Sequence, residues 1–268
     1  MYKLIAIDMD GTLLKGDKTL SDETCRVIKK AHSLGIKIVL STGRPMKGIE
    51  QYLEKLNLVS DKDYAITFNG AVVQNIKTRE IISEKGMSYE DVDFLYNVSL
   101  MLNLNIHAFT HKGVITPRIT KYTKLESDLN HVPIEVIDFK NIDKSIEIIK
   151  ILMVEDPKIL EQAITKLPSE LYNKYTVVKS APFFLEFLNK SVNKGVGVET
   201  LAKSLNIKQE EVICIGDAGN DIHMIKYAGL GVAMGNAFEE VKNIADYITL
   251  TNEEDGVADV IKKFVLAV

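Results

Sequence analysis

The stretch IAIDMDGTLL, Ile5 to Leu14, starts as a buried strand and then stops behaving like one. Lys3 to Ile7 is an apolar run of strand length, and two carboxylates, Asp8 and Asp10, close it two residues apart. Gly11 and Thr12 follow, residues that let a chain turn. Acidic turns after strands are common, so this segment alone leaves a plain turn and a catalytic pair equally open.

Working outward, Ser21 is placed to cap a helix with Asp22 and Glu23 in its first turn, and Val27, Ile28, Ala31 and Leu34 repeat at helical spacing up to Gly35. Ile36 to Leu40 reads as a second strand, Pro45 as the start of a helix reaching Leu56, Tyr64 to Phe68 as a third strand, and Asn69-Gly70 as a turn. The last third repeats the alternation. A helix follows Asn193, then come strands at Glu211–Ile215, Leu230–Met234 and Tyr247–Leu250, with helices at Gly219–Tyr227, at Phe238–Ala245 and from Gly256. Continuously apolar strands alternating with helices predict an α/β fold with a parallel sheet covered on both faces. Between Ser83 and Leu188 the character changes to alternating β runs (NIHAFT, GVIT, PIEVIDF), with helical stretches at Tyr89–Leu102 and Lys158–Leu167. The organisation expected is an α/β core from residues 1–82 and 189–268 with an α+β insert over 83–188.

The 268 residues are 46% hydrophobic and 26% charged, enough apolar material for a sizeable core. A net charge of −4 points to neither nucleic acid nor an anionic membrane as partner. No apolar run approaches the roughly 20 residues of a membrane span, and Met1-Tyr2-Lys3 leads directly into a strand rather than a signal peptide, so a cytoplasmic location is expected. Cys25 and Cys214 are expected to stay reduced, and the sequons at Asn97 and Asn189 to stay idle.

Ligands of parallel sheets bind beyond the carboxyl ends of the strands. There the chain offers Asp8, Asp10, Gly11 and Thr12; then Ser41, Thr42, Gly43 and Arg44; then Gly216, Asp217, Ala218, Gly219, Asn220 and Asp221. Carboxylates gathered on one rim repel unless a cation lies among them, and an all-oxygen set suits Mg²⁺. Thr42-Gly43 offers backbone N–H groups to an anion at a helix start, although a simple helix-entry turn explains the pair equally well. A cation site beside an anion site suggests phosphoryl transfer, with one Asp as nucleophile and a second as general acid and base.

On these residues the chain resembles the haloacid dehalogenase-like phosphohydrolases. DMDGTLL, STGRP, NKGVGVETL and GDAGNDIHM are similar to the family's four motifs in order, and TFNGA and NEEDGVA to its Cof-type branch, which carries a large α+β cap between the second and third motifs. The resemblance implies a magnesium-dependent phosphatase acting on small phosphorylated metabolites such as sugar phosphates. It implies Asp8 as nucleophile and metal ligand, Asp10 as general acid and base holding the metal through its carbonyl, and Asp217 as the third protein ligand. Asp221 is implied in a supporting or directly ligating place, Lys194 as the cation on Asp8 and the phosphate, and Thr42, Gly43, Asn220 and the backbone N–H of Met9 as phosphate contacts. The insert is implied to choose the alcohol, and a monomer or weak homodimer is expected. A sugar phosphomutase and a non-catalytic phosphate- and magnesium-sensing protein are the alternatives.

The remaining polar and aromatic features have plainer readings. Arg44 is expected to brace its loop by ion pairing, and Asn69-Gly70 to form a turn. His107 and His111 lie in a strand without a further ligand, which speaks against zinc. Phe183, Phe184 and Phe187 are expected in a core at the junction of insert and main fold, and Phe109, Arg118 and Lys121 are the weakest candidates for substrate contact.

Overall fold

In a computed structural model, which describes residues 1–267, the chain forms two compact units: Met1–Glu84 with Asn193–Val268, and Lys85–Val192. The first unit holds strands β1 (Leu4–Ile7), β2 (Lys37–Ser41), β3 (Tyr64–Thr67), β4 (Val72–Asn75) and β5 (Ile81–Glu84). The second holds β6 (Asn105–Thr110), β7 (Gly113–Thr116), β8 (Ile134–Val136), β9 (Lys150–Val154), β10 (Tyr175–Ala181) and β11 (Phe184–Asn189). Back in the first unit come β12 (Val212–Gly216), β13 (Leu230–Ala233) and β14 (Tyr247–Ile248). The expected insert, 83–188, thus begins inside β5 and stops one residue short of the end of β11.

The first sheet has the order β14-β13-β12-β1-β2-β3-β4-β5, parallel from β14 to β3. β4 and β5 depart from the parallel expectation by adding antiparallel, because the tight turn Phe68–Gly70 returns the chain beside β3 without a crossover. Strand parity sorts the core. Ile5 and Ile7 of β1, Ile38 and Leu40 of β2, and Ile213 and Ile215 of β12 belong to one cluster. Leu4, Ala6, Val39, Val212 and Cys214 belong to the other. On the first face pack α1 (Asp22–Ser33), α2 (Glu50–Leu56), α9 (Glu239–Lys242) and α10 (Gly256–Ile261), and on the second α7 (Lys194–Ser204), while α8 (Ile222–Tyr227) gives Ile225 to the first cluster and Met224 to the second, counting helices along the whole chain. Each fully buried Leu or Ile in these layers contributes about 1.5–3 kcal/mol. Cys25 and Cys214 lie in opposite clusters as free thiols.

Helices are shorter than the sequence suggested. Pro45 starts only a 3₁₀ turn, Met46–Gly48, before α2, and the helix expected over Phe238–Ala245 is a single turn. Neither segment opens on a side-chain cap, and helix α2 is entered from Ile49 without one.

The second unit is a six-stranded sheet, β10-β11-β9-β6-β7-β8, antiparallel except where β7 meets β8. Its helices are α3 (Tyr89–Met101), α4 (Lys121–Asn130), α5 (Pro157–Ile164) and α6 (Glu170–Lys174). Ile106, Ala108, Ile151, Met153, Leu185 and Phe187 point to one side, into a core shared with Val92 and Leu95 of α3 and Leu160 of α5. Phe187 is therefore core of this unit itself.

Candidate active site

β1, β2 and β12 are neighbours, so their carboxyl ends deliver the expected residues to one rim. The amide of Asp8 still donates to the Ile215 carbonyl at 3.0 Å, which ties its position to β12. Lys194 is the first residue of α7, held there because Asn193 caps the helix by accepting from the Val196 amide at 2.9 Å. Gly70 makes room for that helix start: its φ is +99°, and a Cβ there would stand 2.3 Å from the Asn193 carbonyl oxygen. Lys194 is wholly buried, and its ammonium donates to Asp8 Oδ1 and, at 2.6 Å, to Asp221 Oδ1. Asp221 Oδ2 accepts from the amides of Asp217 and Ala218, both at 3.0 Å. Asp217 Oδ1 accepts from the Thr12 hydroxyl at 2.8 Å. Gly11, with φ +89°, lets the β1 loop lie against Asp217, since a Cβ would come within 2.5 Å of its carboxylate.

Asp8, Asp217 and Asp221 each bring a carboxylate oxygen within 4.8 Å of the others. Three carboxylates around one ammonium leave a formal excess of two negative charges. Burial, joined by the Asp221 charge, pushes the Asp8 carboxyl well above its ordinary range, although Lys194 opposes this. Burial likewise raises Asp217 against the pull of the Thr12 hydroxyl. For Lys194, burial favours the neutral amine, but Asp221 and Asp8 outweigh it and hold the ammonium. Hard oxygen donors with an unmet charge of two are the ligand set that a magnesium ion fits. Asp8 and Asp217 are the side chains that would hold it, while Asp221 has both oxygens engaged in bracing Lys194 and the β12 loop.

The four expected phosphate contacts are less uniform. Thr42 is buried and its amide donates to the Ile66 carbonyl at 2.9 Å, because β2 is still pairing with β3 at that point. The expectation of a free Thr42 amide is therefore corrected, and its hydroxyl, which accepts from the Arg44 amide at 3.2 Å, is the group left to it. No helix N-terminus stands at Gly43 either, since only the 3₁₀ turn follows. The side chain of Met9 is buried and its carbonyl closes the turn by accepting from the Leu14 amide at 2.9 Å. Asn220 donates from Nδ2 to Asn69 Oδ1 at 3.0 Å. Asn69, taken from sequence as a turn residue, is buried, left-handed at φ +56°, and packed so that a Cβ on Gly43 would meet its Nδ2 at 3.1 Å. It thus joins Gly43 to Asn220, a contact of which the Asn-Gly turn signal in the sequence says nothing.

Asp10 turns away from the three other carboxylates. Arg44 grips it with two donors, Nε to Oδ2 at 2.8 Å and Nη2 to Oδ1 at 2.6 Å, and Lys18 donates to Oδ1 at 2.8 Å. Burial would raise this carboxyl, but Arg44 and Lys18 overcome it and hold it below its ordinary range. Arg44 does form an ion pair, yet with Asp10 itself rather than merely within its loop.

In the second unit Phe109 is fully buried under the Lys150 ammonium, which lies 4.9 Å from its ring centre. Arg118 is exposed, donates to Asn105, and lines a cavity of about 340 Å³ with Glu155 and Tyr96. The Lys121 ammonium lies over the Tyr122 ring at 4.8 Å, and Phe183 stacks on that same ring. Phe184 meets Phe183 and His107 edge-on. His107 is fully buried and, among the described residues, neither ring nitrogen has a hydrogen-bond partner. Burial, with Lys150 adding to it, pushes its pKa down to about 3. The unfolded chain binds a proton there below about 6.5 and the folded unit does not, so stability falls with pH between about 6.5 and 3. At pH 5 the loss from this one group is about 2 kcal/mol. Urea melts of wild type and His107→Leu at pH 7.5 and pH 5 check this: the variant should lose less between the two, and equal losses would exclude the linkage.

The model for haloacid dehalogenase-like hydrolases matches residues 5–261. The Bacillus subtilis protein YxeH is 45% identical over 100% of both chains. YcsE of the same organism, a 5-amino-6-(5-phospho-D-ribitylamino)uracil phosphatase, is 33% identical over 98% of this chain and 96% of its own. Among solved structures, a haloacid dehalogenase-like hydrolase from Bacteroides thetaiotaomicron superposes with a TM-score of 0.87 at 36% identity, covering 98% of this chain and 99% of the other. The subclass IIB sugar phosphatase BT4131 gives 0.82 at 27% identity, covering 98% of each. With carboxylates and a buried lysine gathered at the strand ends where such enzymes work, and with likeness over nearly the whole length, the chain belongs to the haloacid dehalogenase-like hydrolases and is a phosphatase of that superfamily.

Proposed function

We propose that this phosphatase hydrolyses small phosphomonoesters, sugar phosphates foremost, through an aspartyl-phosphate on Asp8 in a magnesium-dependent reaction. The observation that carries the proposal is the buried Lys194 between Asp8 and Asp221, in a carboxylate group with two unmatched negative charges. Asp8, Asp217 and the Asp10 carbonyl would hold a magnesium ion, whose positive charge would let a phosphate dianion approach Asp8. Lys194 holds Asp8 in place and neutralises charge as an Asp8 oxygen forms its bond to phosphorus. Asp10 gives its proton to the departing alkoxide, then takes one from the water that attacks phosphorus and releases Asp8. Thr42, Gly43, Asn220 and the Met9 amide are the phosphate contacts in this scheme, with Asn69 setting the Asn220 amide. Asp221 supports Lys194 rather than the metal. The choice of alcohol is assigned to the 85–192 unit. The two unpaired cysteines agree with a cytoplasmic enzyme, which we take to be a monomer or weak homodimer free of membrane and nucleic acid.

The test is a phosphate-release screen over hexose and pentose phosphates, nucleotides and cofactor phosphates, with and without Mg²⁺. Release from sugar phosphates that disappears without Mg²⁺ is expected. Isomerisation of a sugar phosphate without release would show a mutase instead, and silence across the panel would favour a sensor.

A further inference from the structure

The anion side of the site is short of donors. Thr42 uses its amide on the Ile66 carbonyl, so its hydroxyl is what it can offer a phosphoryl oxygen. One further donor stands beside it. Asn69 is only 3% exposed, and its Oδ1 is occupied, accepting from Asn220 Nδ2 at 3.0 Å. That bond fixes the plane of the amide. Its Nδ2 is the atom nearest to where a Cβ on Gly43 would stand, at 3.1 Å. Among the described residues this Nδ2 has no acceptor, yet it is not sealed from solvent. A side chain this buried ordinarily has its polar atoms paired. Here an aligned N–H is left open between Gly43 and Asn220, both proposed above as phosphate contacts.

The chain is strained where it puts this donor in place. Phe68, Asn69 and Gly70 follow one another in the left-handed region, at φ +51°, +56° and +99°. Glycine and asparagine tolerate that conformation, whereas a bulky aromatic residue holds it only when its surroundings enforce it. The Phe68 amide donates to the Arg44 carbonyl at 3.2 Å and the Asn69 amide to the Thr42 carbonyl at 2.8 Å, which locks the turn onto the loop after β2. Its other side is set by α7, since a Cβ on Gly70 would stand 3.3 Å from the Lys194 amide nitrogen. Asn69 follows β3 and Asn220 follows β12, and β1 and β2 lie between those strands. Their meeting therefore brings both side chains to the rim where β1 presents Asp8 and Lys194 donates to it. A residue needed only to form a turn would supply its backbone conformation and nothing more.

We propose that Asn69 binds phosphate in its own right, its Nδ2 donating to a non-bridging oxygen of the phosphoryl group as Asp8 receives it. The inference rests on Asp8 as the phosphoryl acceptor, and it gives Asn69 a second task beside setting the Asn220 amide. Negative charge spreads over the non-bridging oxygens during transfer, and a donor already held by its neighbours meets that charge without rearranging. Those oxygens belong to every phosphomonoester, so the contact is blind to the alcohol.

Two variants keep a backbone that accepts the left-handed conformation, Asn69→Gly and Asn69→Asp. Glycine removes donor and acceptor together. Aspartate keeps the oxygen that accepts from Asn220 and loses the donor. The readouts, all with Mg²⁺ present, are kcat/KM for 4-nitrophenyl phosphate and for a hexose phosphate, and the Kd of orthovanadate by calorimetry. Asn69→Gly should lower both kcat/KM values by the same factor, roughly 10- to 100-fold, and raise the orthovanadate Kd by at least about tenfold. Asn69→Asp should lose at least as much. In an Asn220→Ala background, Asn69→Gly should still cost at least about fivefold, because its donor acts on the phosphoryl group directly. A loss that vanishes in that background, or wild-type values in Asn69→Asp, would reduce Asn69 to a support for Asn220 and overturn the inference alone. So would an Asn69→Gly enzyme within about threefold of wild type in every readout, or a loss confined to one leaving group. Wild-type rates in Asp8→Asn would overturn the phosphoryl site itself and this inference with it.

Discussion

Asp8→Asn should abolish phosphate release, by at least about 10⁴-fold, which corresponds to about 5.5 kcal/mol of barrier. The neutral amide has no charge to offer phosphorus, and a nucleophile cannot be replaced by its neighbours, because Asp217 and Asp221 are tied to Thr12, to backbone amides and to Lys194. The fold should not suffer. Burial already disfavours the ionised form of Asp8, so removing its charge relieves desolvation, and Asn retains an oxygen that Lys194 can donate to. Asp221 remains as a full counter-charge for the ammonium. The expected pattern is therefore an inactive protein with a melting temperature equal to or above that of wild type. Acid-quenched wild type mixed with substrate should carry a phosphoryl group on the peptide containing Asp8, and Asp8→Asn should carry none. A variant that keeps more than about a tenth of the wild-type rate, only about 1.4 kcal/mol of barrier, would remove Asp8 from the nucleophile's place.

What the sequence revealed and what it hid follow a physical line. Continuous apolar runs marked β1, β2 and β12 because central parallel strands are buried on both faces, and the carboxylates at the ends of β1 and β12 stood out against that background. Lys194 was visible only through its motif, since a lysine at a helix start is ordinarily solvated and here it is fully buried. The missed features are those made by contacts between loops far apart in sequence. Nothing near Arg44 or Lys18 announces that both reach Asp10, 34 and 8 residues away. Asn69 meets Asn220 across 151 residues. Thr42 misled for the opposite reason: its small, turn-like neighbourhood concealed that β2 continues to pair through its amide. The antiparallel strand β5 was hidden because an edge strand lacks the continuous apolar signature of the centre, and β4 because Gln74 and Asn75 make up half of its short run.

Lys194→Met should cost both activity and stability, and the two losses should separate with pH. Methionine fills much of the volume, but the change leaves Asp8 and Asp221 facing each other without the ammonium that both contact, in a site where Asp221 is wholly buried and Asp8 nearly so. Removing one partner from a buried ion pair typically costs about 3–5 kcal/mol, because the remaining charges stay desolvated. The Asp8 carboxyl, which burial already pushes up, can escape the cost by taking a proton. Its folded-state pKa then lies above the unfolded value, so the folded variant binds more protons than the unfolded chain. The penalty is present in full above the raised pKa and is relieved as the pH falls toward the ordinary carboxylate range. The stability gap between wild type and Lys194→Met, measured by urea melts, should therefore be widest near pH 8 and narrow toward pH 5. Added Mg²⁺ should narrow it at pH 8 as well, because a cation among the carboxylates replaces part of the missing charge. Phosphate release should remain low under all these conditions, since a cation restored elsewhere in the site does not restore a donor at Asp8 Oδ1. A gap that is constant from pH 5 to 8 and indifferent to Mg²⁺ would mean that Lys194 acts through packing alone, and would withdraw the charge argument on which the site's assignment to magnesium rests.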